Sequence, residues 1–184
     1  LFGNRHIPFA SVSPEAAACS ITFGAPSKTF NIAGIVSSYS VVPNDSLRHR
    51  FHEWMEANEM NAAPLFSPIA TIAAFRKGEE WRKQMLEYVE GNINFLTDYC
   101  REKMPEIKPL RPQASFLVWL DCRSLGLDHD QLIDLFINKS GLALNDGEMF
   151  NPGGQGFMRL NVGTPRKILK SALDRLHKAI SENL

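Results

Sequence analysis

Hydrophobic residues recur at the spacing of an α-helix in several parts of the chain. The clearest case is the C-terminal segment, where Thr164 is in a capping position and Pro165 fits the first helical turn. Its apolar positions share one predicted face: Ile168, Leu169, Ala172, Leu173, Leu176 and Ile180. Similar spacing predicts helices over residues 44–60, 67–75 and 79–104, and the third is long enough to connect two lobes.

Short β-rich runs alternate with these helices. Residues 20–25 and 35–42 predict two strands joined by a tight turn that glycine and proline mark. After the proline-rich residues 105–115, the chain gives a strand in FLVWLDC, a helix in DHDQLIDLFINKSG and a strand in FMRLNVGT, before the final helix. This alternation predicts an α/β or α+β lobe at the C-terminal end.

Composition is typical of a folded globular protein, and the overall charge indicates no polyanionic partner. The chain is 44% hydrophobic and 22% charged, and its 20 basic and 20 acidic residues leave no net charge. Bulk electrostatics therefore favour neither nucleic acid nor an anionic membrane surface. No apolar run approaches the roughly 18 residues of a membrane span, and a secretory signal is not evident at the start. We expect a cytoplasmic protein.

Cysteine and histidine spacing gives no sign of a metal site. The three cysteines lack a C-x-x-C pair, and the five histidines show no metal-ligand spacing. We therefore expect reduced, mostly buried thiols and no bound metal. The chain begins LFGNRHIPF, without a methionine, and we interpret it as a fragment.

Lys28 is the only charged residue between Glu15 and Asp45. A buried ammonium must be paired, neutralised or used, so this isolation makes its amine a candidate for Schiff-base chemistry with a carbonyl cofactor or substrate. The alternative is that Lys28 lies at the exposed tip of a hairpin or pairs with an acid distant in sequence. Composition alone favours that alternative.

Arg159 is similarly isolated in MFNPGGQGFMRLNVGTP. A strand here would place Phe157, Arg159 and Asn161 on one face and the apolar residues between them on the other. A guanidinium can bind a carboxylate through two parallel hydrogen bonds. The glycines at 153, 154 and 156 would allow a turn or a close approach of backbone to a ligand. Taken alone, an exposed strand arginine is the commoner explanation.

Two motifs, APSKTFNIAG and GFMRLNVGTPR, together with HIPFAS upstream, resemble the C-terminal half of fold-type I pyridoxal-phosphate enzymes. Within the class I and II aminotransferase superfamily, the chain is most similar to the branch of cystathionine β-lyases and related C–S lyases, over nearly its full length. The resemblance implies an α/β fold. Residues 1–80 would be the C-terminal portion of the cofactor-binding large domain, and residues 81–184 the linking helix and the small α+β domain.

The resemblance also assigns roles to the two isolated charges. Lys28 would hold pyridoxal 5'-phosphate as a Schiff base and then remove the substrate's α-proton as a general base. Arg159 would bind the α-carboxylate of the amino acid. The implied reaction is α,β-elimination from cystathionine or a cysteine-like substrate, giving pyruvate, ammonia and a thiol, in a protein that is a homodimer when intact.

Three positions depart from the pattern of related enzymes. Many aminotransferases have a phosphate-binding arginine eight residues after the lysine and a serine three residues before it, where this chain has Val36 and Ala25. Ser27 is then a secondary candidate for the phosphate. Asn151 stands where glycine is frequent in related lyases. The other cofactor-binding groups belong to the family's N-terminal half, so we expect this chain alone to be inactive.

Two alternatives remain open at this stage. An aminotransferase would use the same lysine and arginine, because the fold does not determine which step comes after removal of the α-proton. In a different class, the domain would have a regulatory, protein-binding role, as some members of this branch are thought to have.

Overall fold

The longest helix of the chain, Glu79–Lys103, spans the boundary between two structural units. The computed structural model describes residues 1–150 and 152–183. One unit comprises Arg5–Met85, and the other comprises Leu1–Asn4 with Leu86–Leu184. A helix linking two lobes was expected from its length. The finer assignment of residues 1–80 to a large domain and 81–184 to a linking helix and small domain stays a prediction.

The first unit contains four helices and a two-stranded sheet, followed by the start of the long helix. The helices are α1 (Pro14–Ala18), α2 (Pro26–Thr29), α3 (Asp45–Ala57) and α4 (Ser67–Lys77), and the long helix is α5 (Glu79–Lys103). The strands β1 (Thr22–Gly24) and β2 (Tyr39–Val41) pair in antiparallel fashion. The predicted turn between them is wrong, because the connection contains α2.

Polar caps begin two of these helices. Ser13 Oγ accepts a hydrogen bond from the Ala16 N–H, and Pro14 occupies the first turn, where its missing N–H is no loss. Asn44 caps α3 by accepting from the Leu47 N–H. The sequence predicted both starts correctly, although α3 ends at Ala57 rather than near residue 60.

Several apolar side chains of the charge-free segment around Lys28 are exposed. Phe23 is 66% exposed, and Tyr39 and Val41 are also exposed. Two paired strands of three residues each cannot enclose a core, so their apolar side chains remain accessible. In α3 the predicted apolar stripe is likewise only half-buried, and Trp54 on it is exposed.

The second unit is a four-stranded antiparallel sheet with helices. Its strands are β3 (Lys108–Leu110), β4 (Leu117–Asp121), β5 (Asn145–Asp146) and β6 (Phe157–Asn161), in the order β3-β4-β6-β5. Helix α6 (His129–Asp134) continues as a π-helical segment, Leu135–Lys139, and α7 (Arg166–Asn183) ends the described chain. The pattern predicted β4, β6 and these helices but missed the short strands β3 and β5.

The core of this unit combines the sheet with α5 and α7. Met158 and Leu160 are buried, whereas Phe157 and Arg159 are half-buried, so the predicted alternation along β6 is confirmed. Other fully buried residues come from β4, α5 and α7: Val118, Leu120, Ile93, Leu96, Leu169, Leu173 and Leu176. None of the helices within residues 1–150 and 152–183 is long and apolar enough to cross a membrane.

A buried asparagine fixes the end of β6. Asn92 in α5 donates from Nδ2 to the carbonyls of Val162 (2.7 Å) and Thr164 (2.8 Å), and its Oδ1 accepts from Arg166 Nε at 2.6 Å. The Asn92 side chain that makes these three hydrogen bonds is fully buried. The chain between β6 and α7 is therefore anchored directly to the long helix, which holds the strand that carries Arg159.

Truncation of a core leucine in α7 tests this packing. We expect Leu169→Ala in the full-length protein to lower the free energy of unfolding by about 2–5 kcal/mol, because the buried side chain would leave a cavity. Ile168→Ala is the matched control on the same helix, since Ile168 is 59% exposed. Urea titration measures both. Equal losses for the two variants would contradict the assignment of the buried face.

Thiol reactivity provides a second test of burial. Desolvation raises the pKa of Cys100 and of Cys122 to about 12, whereas Cys19 is exposed. Because the thiolate is the reactive form, a raised pKa suppresses alkylation. We expect iodoacetamide at pH 8 to label Cys19 and to spare the other two thiols, with all three labelled in urea. Labelling of Cys100 or Cys122 under native conditions, read by peptide mapping, would show this packing to be wrong.

Candidate active site

Lys28 lies in the single-turn helix α2. Ala25 is extended, Pro26 occupies the first turn, and the Phe30 N–H donates to the Pro26 carbonyl at 2.9 Å. Proline's fixed φ suits a helix start, so the sequence Ala-Pro-Ser-Lys specifies this turn locally. The lysine side chain therefore projects from a short, backbone-bonded turn between β1 and β2.

Contacts on both sides of Lys28 hold this turn in place. Pro26 is buried, and the Phe30 ring packs edge-on against Phe75, with ring centroids 5.4 Å apart. Further along, the buried Ser67 hydroxyl at the start of α4 donates to the Ile35 carbonyl. The backbone that carries Lys28 is thus fixed to α4 within the same unit.

The amine of Lys28 is exposed to solvent. Within residues 1–150 and 152–183, it has no ion-pair or hydrogen-bond partner. Of the two alternatives, the structure shows the exposed lysine that composition favoured, but the lysine lies on a helical turn and not at the tip of a hairpin. The neighbouring hydroxyl of Ser27 is half-buried. An accessible primary amine on a fixed turn is a geometry from which a carbonyl compound can be bound covalently.

The two positions that depart from related enzymes offer no polar side chain. Ala25 and Val36 are both exposed, and Val36 has a left-handed backbone with φ of 51°. That conformation is unfavourable for a β-branched residue. Asn151, the third departure, lies outside the described residues. Ser27 thus remains a candidate for donating to a phosphate, and Thr29 is a second hydroxyl in the same turn.

Arg159 lies at the centre of β6, opposite Trp119 on β4 and Asn145 on β5. Its Nη2 donates to Asn145 Oδ1 at 2.9 Å, and its Cζ lies 4.4 Å from the centroid of the Phe150 ring. The Nε atom is buried and has no hydrogen-bond partner in the described part of the chain. The guanidinium is therefore oriented but not neutralised.

Aromatic residues form a wall beside this arginine. The Trp119 ring meets Phe150 edge-on at 5.2 Å and Phe157 at 6.3 Å. Arg123 stacks on Phe157 and is bound to Asp121 by two hydrogen bonds, of 2.9 and 2.7 Å. The Arg123 side chain holds the pKa of Asp121 below its usual value. Arg123 thus has a carboxylate partner within the chain, whereas Arg159 lacks one among the described residues.

Glycines close the loop that carries Phe150. A Cβ at Gly147 would lie 2.1 Å from the Gly154 carbonyl oxygen, and one at Gly156, whose φ is +74°, would lie 2.6 Å from Arg123 Cγ. Neither position has room for a side chain, because Gly147 packs against backbone of the same loop and Gly156 packs against Arg123. Gly153 and Gly156 both have positive φ, so the glycine-rich run makes a turn, one of the two roles expected of it.

Comparison with known proteins shows which enzymes the chain is similar to. It is 37% identical to cystathionine β-lyase PatB of Bacillus subtilis over 98% of its length, which is 47% of that protein. It superimposes on pyridoxal 5'-phosphate-containing cystalysin from Treponema denticola with a TM-score of 0.93 and 30% identity, over 98% of this chain and 46% of that one. The chain has the fold of the C-terminal part of a fold-type I pyridoxal-phosphate enzyme.

The relatives of this chain do not all have the same activity. An aspartate aminotransferase of Pyrococcus horikoshii is 25% identical over 96% of the chain. No protein-family model matches. The chain spans about half the length of the curated relatives it matches. The predicted fold class and family resemblance are confirmed, and the relatives include both lyases and aminotransferases.

The sequence pointed to Lys28, Ser27 and Arg159 as candidate site residues. It gave no indication of the side chains that orient the arginine. Asn145 and Phe150 carry no motif, and their relation to Arg159 depends on strand register and on the loop that Gly147 and Gly154 close. The only available signal was the odd-numbered face of β6, which predicts that Arg159 and Phe157 share a surface.

Proposed function

We propose that the full-length protein is a pyridoxal 5'-phosphate-dependent C–S β-lyase that cleaves cystathionine or a cysteine-like substrate. The observation that carries this proposal is the 37% identity to a cystathionine β-lyase across 98% of the chain. Because the chain covers about half of that relative, the activity belongs to the full-length protein. We expect the chain alone to be inactive.

The side chains present fit the aldehyde of the cofactor. The exposed amine of Lys28, which has no partner among the residues that the structure describes, can bind it, and the half-buried Ser27 hydroxyl next to it can contribute one hydrogen bond to the phosphate. Val36 and Ala25 supply no further phosphate ligand from this turn. The rest of the phosphate site would come from elsewhere in the full-length protein.

When bound, pyridoxal 5'-phosphate supplies an electron sink that stabilises negative charge at the substrate's Cα. Lys28 Nζ would accept the α-proton as a neutral amine, and the fixed turn of α2 limits the region that this atom can reach. Arg159 would bind the α-carboxylate with its Nε and Nη hydrogens, since Nε is free of other partners among the described residues. Loss of the thiol from Cβ then gives pyruvate and ammonia after hydrolysis.

A second candidate is an aminotransferase, favoured by the aspartate aminotransferase among the relatives. Both reactions begin with removal of the α-proton and need the same two side chains. They differ in what happens next. A lyase expels the thiolate from Cβ, whereas an aminotransferase would transfer the amino group to a keto acid and release the substrate's own keto acid.

Product analysis separates the two candidates. Full-length protein is loaded with cofactor and incubated either with L-cystathionine or with an amino acid and 2-oxoglutarate. Release of thiol and pyruvate without formation of glutamate supports the lyase, and the opposite result overturns it. If neither activity is found and the protein shows no visible absorption with the cofactor, a regulatory, protein-binding role becomes the better proposal.

We further propose that the full-length protein is a cytoplasmic homodimer. The family resemblance supports the dimer, and the free cysteines are compatible with a reducing compartment. Size-exclusion chromatography with light scattering, on full-length protein with cofactor, measures the oligomeric state.

A further inference from the structure

We propose that Asn145 and Phe150 are positioning residues that hold the planar Arg159 guanidinium in the orientation in which it binds a carboxylate. The inference rests on the proposed function, in which Arg159 binds the substrate's α-carboxylate. Neither residue would touch the reacting atoms. Both would act through the arginine that they contact.

Phe150 fixes the plane of the guanidinium. Its ring centroid lies 4.4 Å from Arg159 Cζ, and Trp119 meets the same ring edge-on at 86°. A stacked aromatic ring attracts the cation and occupies one flat side of it. A ligand is then excluded from that side, and the edge of the fork, where N–H groups point in parallel, suits a carboxylate.

Asn145 anchors one end of the fork without neutralising it. Its Oδ1 accepts from Arg159 Nη2 at 2.9 Å, across the β5–β6 pairing. An amide oxygen accepts a hydrogen bond but carries no formal charge, so the arginine keeps its attraction for an anion. Arg123 shows the contrasting arrangement, because the carboxylate of Asp121 takes two of its hydrogen bonds.

The Nε donor of Arg159 is consistent with ligand binding at this edge of the guanidinium. Arg159 Nε is buried and has no partner in the part of the chain that the structure describes. A buried N–H without an acceptor is unfavourable, and an incoming carboxylate oxygen would satisfy it. The predicted ligand class is therefore a small molecule with a free carboxylate.

Charge placement at position 145 is the sharpest test. In full-length, cofactor-loaded protein, we expect Asn145→Asp to raise KM for S-methyl-L-cysteine by at least about tenfold, with kcat within about threefold, because the new carboxylate competes for the arginine. Asn94→Asp is the matched control, since it makes the same charge change at an exposed position of α5. It should leave KM unchanged.

Conservative variants test the role of the ring. Phe150→Leu keeps apolar volume but removes the π face, and we expect about a three- to tenfold rise in KM. Phe150→Tyr keeps the face and should restore KM to within about twofold of the wild-type value. A purely structural role would make Phe150→Leu lower the melting temperature without this separation of KM from kcat.

A binding measurement is independent of turnover. Calorimetry uses 3-(methylthio)propanoate, which has a carboxylate but no amine to react, and its neutral amide as the control ligand. We expect Asn145→Asp to weaken binding of the acid by at least about tenfold and to leave the amide unaffected. Equal affinity of wild type and Asn145→Asp for the acid would overturn the inference. If Arg159→Ala also leaves acid binding and KM unchanged, the carboxylate role in the proposed function fails instead.

Discussion

Replacing Lys28 with alanine in the full-length protein is expected to abolish turnover. The variant would lose both the amine that binds the cofactor and the base that accepts the α-proton, so kcat should fall by at least about 10³-fold. The visible absorption band of lysine-bound cofactor should disappear at the same time. The measurements are pyruvate release from L-cystathionine and an absorption spectrum of protein after dialysis against cofactor.

A nearby lysine provides the control for this result. Lys77 is exposed in the last turn of α4, in the same structural unit, and Lys77→Ala should retain full activity and absorption. Lys28→Arg preserves the positive charge but cannot form the bond to the cofactor, so it should be as inactive as Lys28→Ala. Retention of the visible band in Lys28→Ala would remove Lys28 from the active site.

Replacement of Arg159 is expected to act mainly on substrate binding. Two charge-assisted hydrogen bonds to a carboxylate are worth about 3 kcal/mol or more, so Arg159→Ala should raise KM by at least about 10²-fold. Arg159→Lys retains the charge but not the planar fork, and we expect an intermediate rise of about tenfold. Steady-state kinetics with L-cystathionine measure both.

An arginine outside the aromatic wall controls for loss of positive charge. Arg101 is exposed on α5 and forms a surface ion pair with Asp98, a contact that contributes little. Arg101→Ala should leave KM within about twofold of the wild-type value. If Arg159→Ala behaved the same way, the proposed carboxylate site would be elsewhere in the full-length protein.

Periodicity predicted those elements that have a buried and an accessible face. The alternation along β6 was confirmed, and so was the apolar stripe of α7 except at Ile168, which was predicted on the buried face and is exposed. Burial on one side of Met158 and Leu169 leaves a pattern that sequence records. Strand β5 has two residues and can show no period. Helix α2 is one turn long, and its start at Pro26 was interpreted as the end of a strand.

Charge isolation predicted the candidate side chains but not their surroundings. The uncharged stretch around Lys28 left burial and exposure both open, because composition cannot tell which surface covers a segment. The chain leaves Phe23 and Tyr39 exposed. For Arg159, the decisive contacts come from Asn145 and Phe150 through register and loop closure. Such contacts depend on tertiary structure and leave no local signal. The assigned roles of both charges stay predictions.

The outer strands of the four-stranded sheet also limit what can join it. Strand β5 offers two residues, and β3 offers three with Pro109, which has no N–H to donate, in the middle. An incoming peptide could form too few ladder hydrogen bonds at either edge to extend the sheet. Newly made copies of the protein are thereby protected at these edges against strand-to-strand association, the step by which sheet proteins commonly begin to aggregate.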